Sequence, residues 1–112
     1  MEIVNLLAYD DRKQLREWLI ANHDITKECW VATYRSRQAP TSGCIPYIDV
    51  VEEALCFGWI DSTTKRIGDG RLAQRLSPRR KGSHWTELNI QRCHNLIKQG
   101  LMTEAGLQAM PK

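Results

Sequence analysis

The sequence predicts an α+β domain, with a small antiparallel sheet that includes a basic β-hairpin packed against three to four helices. Three observations predict it. Apolar residues recur at helical spacing in three separate segments. Residues 29–35, Cys-Trp-Val-Ala-Thr-Tyr-Arg, are rich in β-branched and aromatic side chains and read as a strand. Asp69-Gly70 stands between two extended runs, the pattern of a two-residue hairpin turn. Helices interleaved with hairpin-built strands give the α+β class, and 112 residues suffice for one core, so residues 1–112 form a single domain.

In order along the chain, residues 3–9 are a short strand or an extended lead-in. Asp10 or Asp11 then caps a first helix whose buried face is Leu15, Trp18, Leu19 and Asn22. In the strand over 29–35, Trp30, Ala32 and Tyr34 share one face. Residues 36–46 carry Pro40, Ser42, Gly43 and Pro46 and read as a loop. A second helix over about 47–57 spaces Ile48, Val51 and Leu55 for burial, with Gly58 as its natural terminator. The hairpin follows, and Pro78 ends its second strand because proline cannot extend the ladder. Thr86 caps a third helix that runs to Gly100, with Asn89 at its third position and Trp85 placed to staple against Ile90. Leu88, Cys93, Leu96 and Ile97 are its expected apolar stripe. A short last helix begins after Thr103.

Composition is that of an ordinary globular domain, 42% hydrophobic and 26% charged. No run nears the roughly twenty apolar residues that a membrane-spanning helix needs, and the acidic Glu2 is unlike the start of a signal peptide. Cys29, Cys44, Cys56 and Cys93 form no Cys-x-x-Cys pair and read as free thiols of a reducing, cytoplasmic compartment.

The net charge of +3 is unevenly placed. Residues 65–81 hold seven basic side chains against one acid, Asp69, a local +6 that leaves −3 for the remainder. With Gly68 facing Arg71, Arg66 pairs with Ala73, Thr64 with Arg75 and Ser62 with Ser77. One face of the ribbon then presents Ser62, Thr64, Arg66 and Arg75 with no acid among them, and Asp61 shares the other with Lys65. Guanidinium forks match phosphate or carboxylate, and hydroxyls add short donors beside them. Downstream, Arg79-Arg80-Lys81 leads to Trp85 and a helix N-terminus, which attracts anions. The plain alternative is a solvated basic edge that keeps the sheet from pairing with other chains. If the ligand is nucleic acid, Trp85 is placed to stack on a base.

Enzyme patterns are thin. His23, His84, His94 and the cysteines lack metal-ligand spacing, and there is no P-loop and no dinucleotide fingerprint, so no metal and no cofactor is expected. Cys56 sits near a helix C-terminus, where the dipole opposes a thiolate, and Cys93 falls on an apolar stripe. Cys44, in a Gly/Pro loop, reads as the most exposed thiol, and Glu52-Glu53 reads as a solvent-facing pair. The remaining enzyme reading uses Asp61 with Lys65 or Arg75, and requires them to meet in a cleft.

Two long motifs carry a family resemblance. Residues 51–62, Val-Glu-Glu-Ala-Leu-Cys-Phe-Gly-Trp-Ile-Asp-Ser, and residues 74–83, Gln-Arg-Leu-Ser-Pro-Arg-Arg-Lys-Gly-Ser, followed by Trp85 and Asn89, resemble the YdeI/OmpD-associated (OmdA, bacteriocin-protection) family. Trp18-Leu19 before Asn22-His23, and residues 100–107, fit the same pattern. The resemblance implies a small bacterial α+β domain with no established reaction, and its motif falls on Asp61, Ser62, Arg75, Pro78, Arg79, Trp85 and Asn89. It also implies a further C-terminal helical region, where this chain stops at Met110-Pro111-Lys112.

The expected function is therefore a non-enzymatic anion- or nucleic-acid-binding module in stress or bacteriocin tolerance. Its expected ligand residues are Asp61, Ser62, Thr64, Arg66, Arg75, Arg79, Lys81, Trp85 and Asn89. A protein-interaction domain with an acidic partner is the alternative.

Overall fold

The computed structural model describes residues 2–35 and 42–111. Its elements are β1 (Leu6–Leu7), α1 (Arg12–Asn22), β2 (Cys29–Tyr34), β3 (Ile45–Pro46), α2 (Tyr47–Cys56), β4 (Trp59–Gly68), β5 (Arg71–Pro78), α3 (Glu87–Lys98) and α4 (Glu104–Ala109). The α+β class is as expected. The sheet runs β1-β2-β5-β4, with β3 also paired to β2. It is mixed rather than wholly antiparallel, because β1 and β3 lie parallel to β2. Those strands are two residues each, too short to leave an alternating pattern in the sequence.

Local chemistry sets the helix ends. Asp11 caps α1 in a reciprocal box with Gln14: the Gln14 amide donates to Asp11 Oδ1 at 3.0 Å, and Gln14 Oε1 accepts from the Asp11 amide at 3.3 Å. Thr86 Oγ1 accepts from the Asn89 amide to start α3, and Thr103 caps α4. Gly58 ends α2 at φ +74°, and a Cβ there would lie 2.9 Å from the Ala105 carbonyl of α4. Only glycine meets both demands.

The core lies between one sheet face and the helices. Leu15 and Leu19 of α1, Val50, Val51, Ala54 and Leu55 of α2, and Cys93 and Leu96 of α3 meet Cys29, Val31, Trp59 and Leu76 of the sheet. Each such leucine contributes roughly 1.5–3 kcal/mol by leaving water. The α3 stripe differs from expectation, since Leu88 and Ile97 are 59% and 42% exposed while Cys93 and Leu96 are buried. Ile48 is likewise exposed on α2. The buried face of α3 is narrow because α3 packs chiefly on α2, whereas α2 lies between the sheet and the other helices and buries Val50, Val51, Glu53, Ala54, Leu55 and Cys56.

The pair Glu52-Glu53 is not solvent-facing. Glu53 is 1% exposed, with Oε2 accepting from Arg12 Nε at 2.8 Å and Oε1 from Arg16 Nη1 at 2.9 Å. Cys44 is the most exposed of the four thiols, as expected, yet at 7% exposure it too is buried.

The hairpin turn is as read from Asp-Gly. Asp69 and Gly70 both have positive φ, +55° and +75°, as a type I′ turn requires, and Gly68 faces Arg71. Beyond that, the expected register is wrong. Irregularities between Arg66 and Gly68, and between Asp61 and Thr64, put extra residues into β4. Arg66 therefore pairs with Leu72, Thr64 with Gln74, and Ile60 rather than Ser62 with Ser77.

Candidate anion-binding site

The two bulges divide the side chains that a regular ribbon would have placed on one face. Toward the helices, Asp61 Oδ2 accepts from the Tyr47 hydroxyl at 2.8 Å and from Gln74 Nε2 at 3.0 Å. The Thr64 hydroxyl donates to Gln74 Oε1 at 2.8 Å, closing an internal polar network around a buried glutamine. Burial raises the Tyr47 phenol above its usual range, and the Asp61 hydrogen bond raises it further.

On the opposite face, Arg75 stands across from Trp30. Its Nη2 pairs with Glu28 Oε2 at 2.9 Å and its Nη1 donates to Ser62 Oγ at 3.3 Å. The side chain is 20% exposed and its charge is met by a carboxylate of the chain itself. Lys65 sits 5.8 Å over the Trp30 ring. Asp61 thus lies on one side of the sheet and Lys65 and Arg75 on the other, so the cleft required by the enzyme reading is not formed. The acid-free face is corrected in the same way: Ser62 and Arg75 share one side, whereas Thr64, though exposed, stands on the other with Gln74, and Arg66 follows Leu72 toward the hairpin tip.

A different group does converge. Arg79 leaves β5 with its amide hydrogen-bonded to the Gly58 carbonyl at 3.0 Å, which ties the basic loop to the α2–β4 corner. Its guanidinium lies 3.7 Å over the Trp85 ring, a contact worth roughly 0.5–2 kcal/mol. Nη1 donates to Ser83 Oγ and the His84 carbonyl, both at 3.3 Å. Nε and Nη2 are buried with no acceptor among the described residues. Burial lowers the Arg79 pKa, opposed by Cys93 and by the more distant Asp61, which forms no ion pair with it among the described residues. Each buried donor left unpaired costs about 1–3 kcal/mol.

Beside this guanidinium is a cavity of about 530 Å³, lined by Arg79, Arg80, Lys81 and Ser83 on one side. Its other wall comes from α4 and the residues after it, including Ala105, Gln108, Ala109 and Met110, with Trp85 between. The volume lies in the range that small-molecule sites occupy. The site therefore joins three cationic side chains to an apolar wall.

Of the residues expected to bind, Arg79, Lys81 and Trp85 come together here. Asn89 does not: its backbone amide donates to the Thr86 cap of α3 and its Oδ1 accepts from Arg92 at 2.9 Å. Sequence reading missed Arg80 as a lining residue and the whole α4 wall. Ala105 and Ala109, four apart on one helix face, were the available sign that something approaches α4 closely.

Among the described residues no group of three or more His, Cys, Asp or Glu could hold a metal ion, and no helix is long and apolar enough to cross a membrane. The chain belongs to a family described as a domain of unknown function (DUF8412), whose model matches residues 7–109. No curated protein and no solved structure matches the chain.

Proposed function

We propose that this domain is a non-enzymatic anion-binding module whose ligand places a phosphate or carboxylate group against Arg79. One observation carries the reading: a guanidinium held on an aromatic ring, with two buried donors and no carboxylate partner among the described residues, beside a cavity rimmed by two more cations. A cation arranged in this way costs stability in the empty protein, and an anion that meets its free donors offsets that cost. The apolar α4 wall suits a ligand with an organic body rather than a bare ion. As part of the same proposal, the resemblance to the YdeI/OmpD-associated family supports a role in bacterial stress or bacteriocin tolerance, and the four free thiols support a reducing, cytoplasmic compartment.

The test is a titration of the full chain with inorganic phosphate, a mononucleotide and a short DNA single strand, read by tryptophan fluorescence and calorimetry. Binding to the wild type that weakens at least tenfold in Arg79→Gln, and weakens with added salt, is the expected result. Equal affinity in the two proteins would remove the cavity from consideration. A gain of affinity that grows with strand length would identify the ligand as nucleic acid.

A further inference from the structure

A second basic groove lies at the far end of the hairpin. It encloses about 330 Å³ and is lined by Arg35, Arg66, Arg71, Gly68, Gly70 and Leu72. The three arginines come from three places in the chain: the residue after β2, the penultimate turn-side stretch of β4, and the first residue of β5. Only one, Arg66, was expected at a binding surface.

We infer that this groove is a binding site for a diphosphate group, separate from the cavity beside Arg79. Three like charges facing one groove repel each other, and no ion pair with Arg35, Arg66 or Arg71 is formed among the described residues. Residues 36–41, which follow Arg35, contain no Asp or Glu in their sequence. Two acids lie near. Asp69 is exposed at the hairpin turn, and Asp10 Oδ1 accepts from the Gly43 amide at 2.7 Å.

The groove is also held in shape. Arg35 is fixed 3.9 Å over the Tyr47 ring, and Arg71 extends over Gly43, where Nη1 would lie 3.4 Å from an added Cβ. At Gly68, an added Cβ would meet nothing within 4 Å, so the backbone there is open to a ligand. A basic edge that only prevents strand pairing has no need to bring arginines from three segments to one hollow. Planar guanidinium forks bind phosphate oxygens in pairs, and three of them bring +3 to the groove where a single phosphate carries only about −1.5 to −2 at neutral pH. Two adjoining phosphates satisfy them.

The experiment uses Arg79→Gln protein, in which the first cavity is silenced, so failure here and failure of the function proposed above are told apart. Pyrophosphate is titrated by calorimetry, with inorganic phosphate and ADP as parallel arms. One saturable pyrophosphate site is expected, at least tenfold tighter than inorganic phosphate. Adding Arg66→Gln and Arg71→Gln, separately so that each variant is checked for fold by circular dichroism, lowers that affinity tenfold or more in each. ADP binding as tightly as pyrophosphate assigns the diphosphate to a nucleotide, and weaker ADP binding assigns it to the free anion. The inference is overturned if Arg79→Gln protein shows no saturable pyrophosphate binding, or if either folded arginine variant binds as before.

Discussion

Arg12 and Arg16 stand at one end of α1, Arg79 at the exit of β5, and the three side chains have opposite fates. Arg12 and Arg16 both reach the buried Glu53, and Arg12 also meets Asp49 at 3.1 Å and Glu52 at 2.9 Å. Their hydrogen bonds and ion pairs outweigh burial, and both guanidiniums are held above the usual arginine range. Arg79 is buried to a similar degree against an aromatic ring, yet no carboxylate of the described residues pairs with it, and burial leaves its pKa lowered. Arginine near a core is therefore no sign of function by itself. What separates a structural cation from a candidate binding one is whether the chain supplies its counter-charge.

The most forceful way to break this comparison is to remove the counter-charge where it exists. Glu53→Gln leaves Arg12 and Arg16 without their buried partner, while Asp49 and Glu52 still serve Arg12 in part. Loss of about 3 kcal/mol is expected, of the size found when one member of a buried pair is deleted, and urea unfolding would measure it. An unchanged midpoint would mean that the cluster is as dispensable as a surface pair.

Proton release sharpens the contrast next, because a thiol lies beside each arginine group. Burial pushes Cys56 up to about 11, with Arg16 opposing and Glu53 adding to the rise. Burial also raises Cys93, against the pull of Arg79, and Cys29 is pushed up to about 12. A thiol raised in the fold titrates near 9 when unfolded, so its contribution is complete below pH 9 and is lost as pH climbs through the folded value. Stability should hold flat through neutral pH and fall from about pH 9 upward. In Cys56→Ala the fall between pH 9 and 11 should be shallower, whatever the variant's stability at pH 7. An identical slope would show that Cys56 stays protonated in neither state differently.

Arg79→Met tests the other side. It removes two orphaned donors and keeps an apolar chain over Trp85, so stability should change by less than about 1 kcal/mol, with either sign. Anion binding should fall at least tenfold in the same protein. A destabilisation near that of Glu53→Gln would make Arg79 a structural residue after all.

How far the sequence revealed this depends on how local each cause is. Caps at Asp11, Thr86 and Thr103, the stop at Gly58 and the Asp69-Gly70 turn were all legible, since each rests on chemistry within four residues. The hairpin faces were not. One extra residue in β4 flips everything beyond it; Gly68, at φ +92°, was a legible sign of the bulge near the turn, whereas nothing in Ser62-Thr63-Thr64 marks the other in advance. Charge pairing was equally hidden: Arg12 finds Glu53 across 41 positions, and Arg75 finds Glu28 across 47. The cluster of positive charge was visible as composition, but its division into neutralised Arg75 and unmet Arg79 depends on contacts remote in the chain. Arg79 and Trp85 could be singled out early because they lie only six residues apart, flanking one loop.

The smallest expected effect concerns Arg75, the residue that sequence reading ranked beside Arg79. Its partner Glu28 is 44% exposed, so the pair is largely screened by water. Arg75→Gln should cost under about 1 kcal/mol and leave anion binding at the Arg79 cavity within twofold of wild type, because its charge is already met and it does not line that cavity. A tenfold loss of binding would restore Arg75 to the site and extend the anion's path across the outer sheet face toward Ser62. Combined with Glu28→Gln, the same substitution separates the two contributions. If freeing Arg75 by Glu28→Gln alone creates new anion binding, then the counter-charge, and not the position on the hairpin, decides which arginines are available to a ligand.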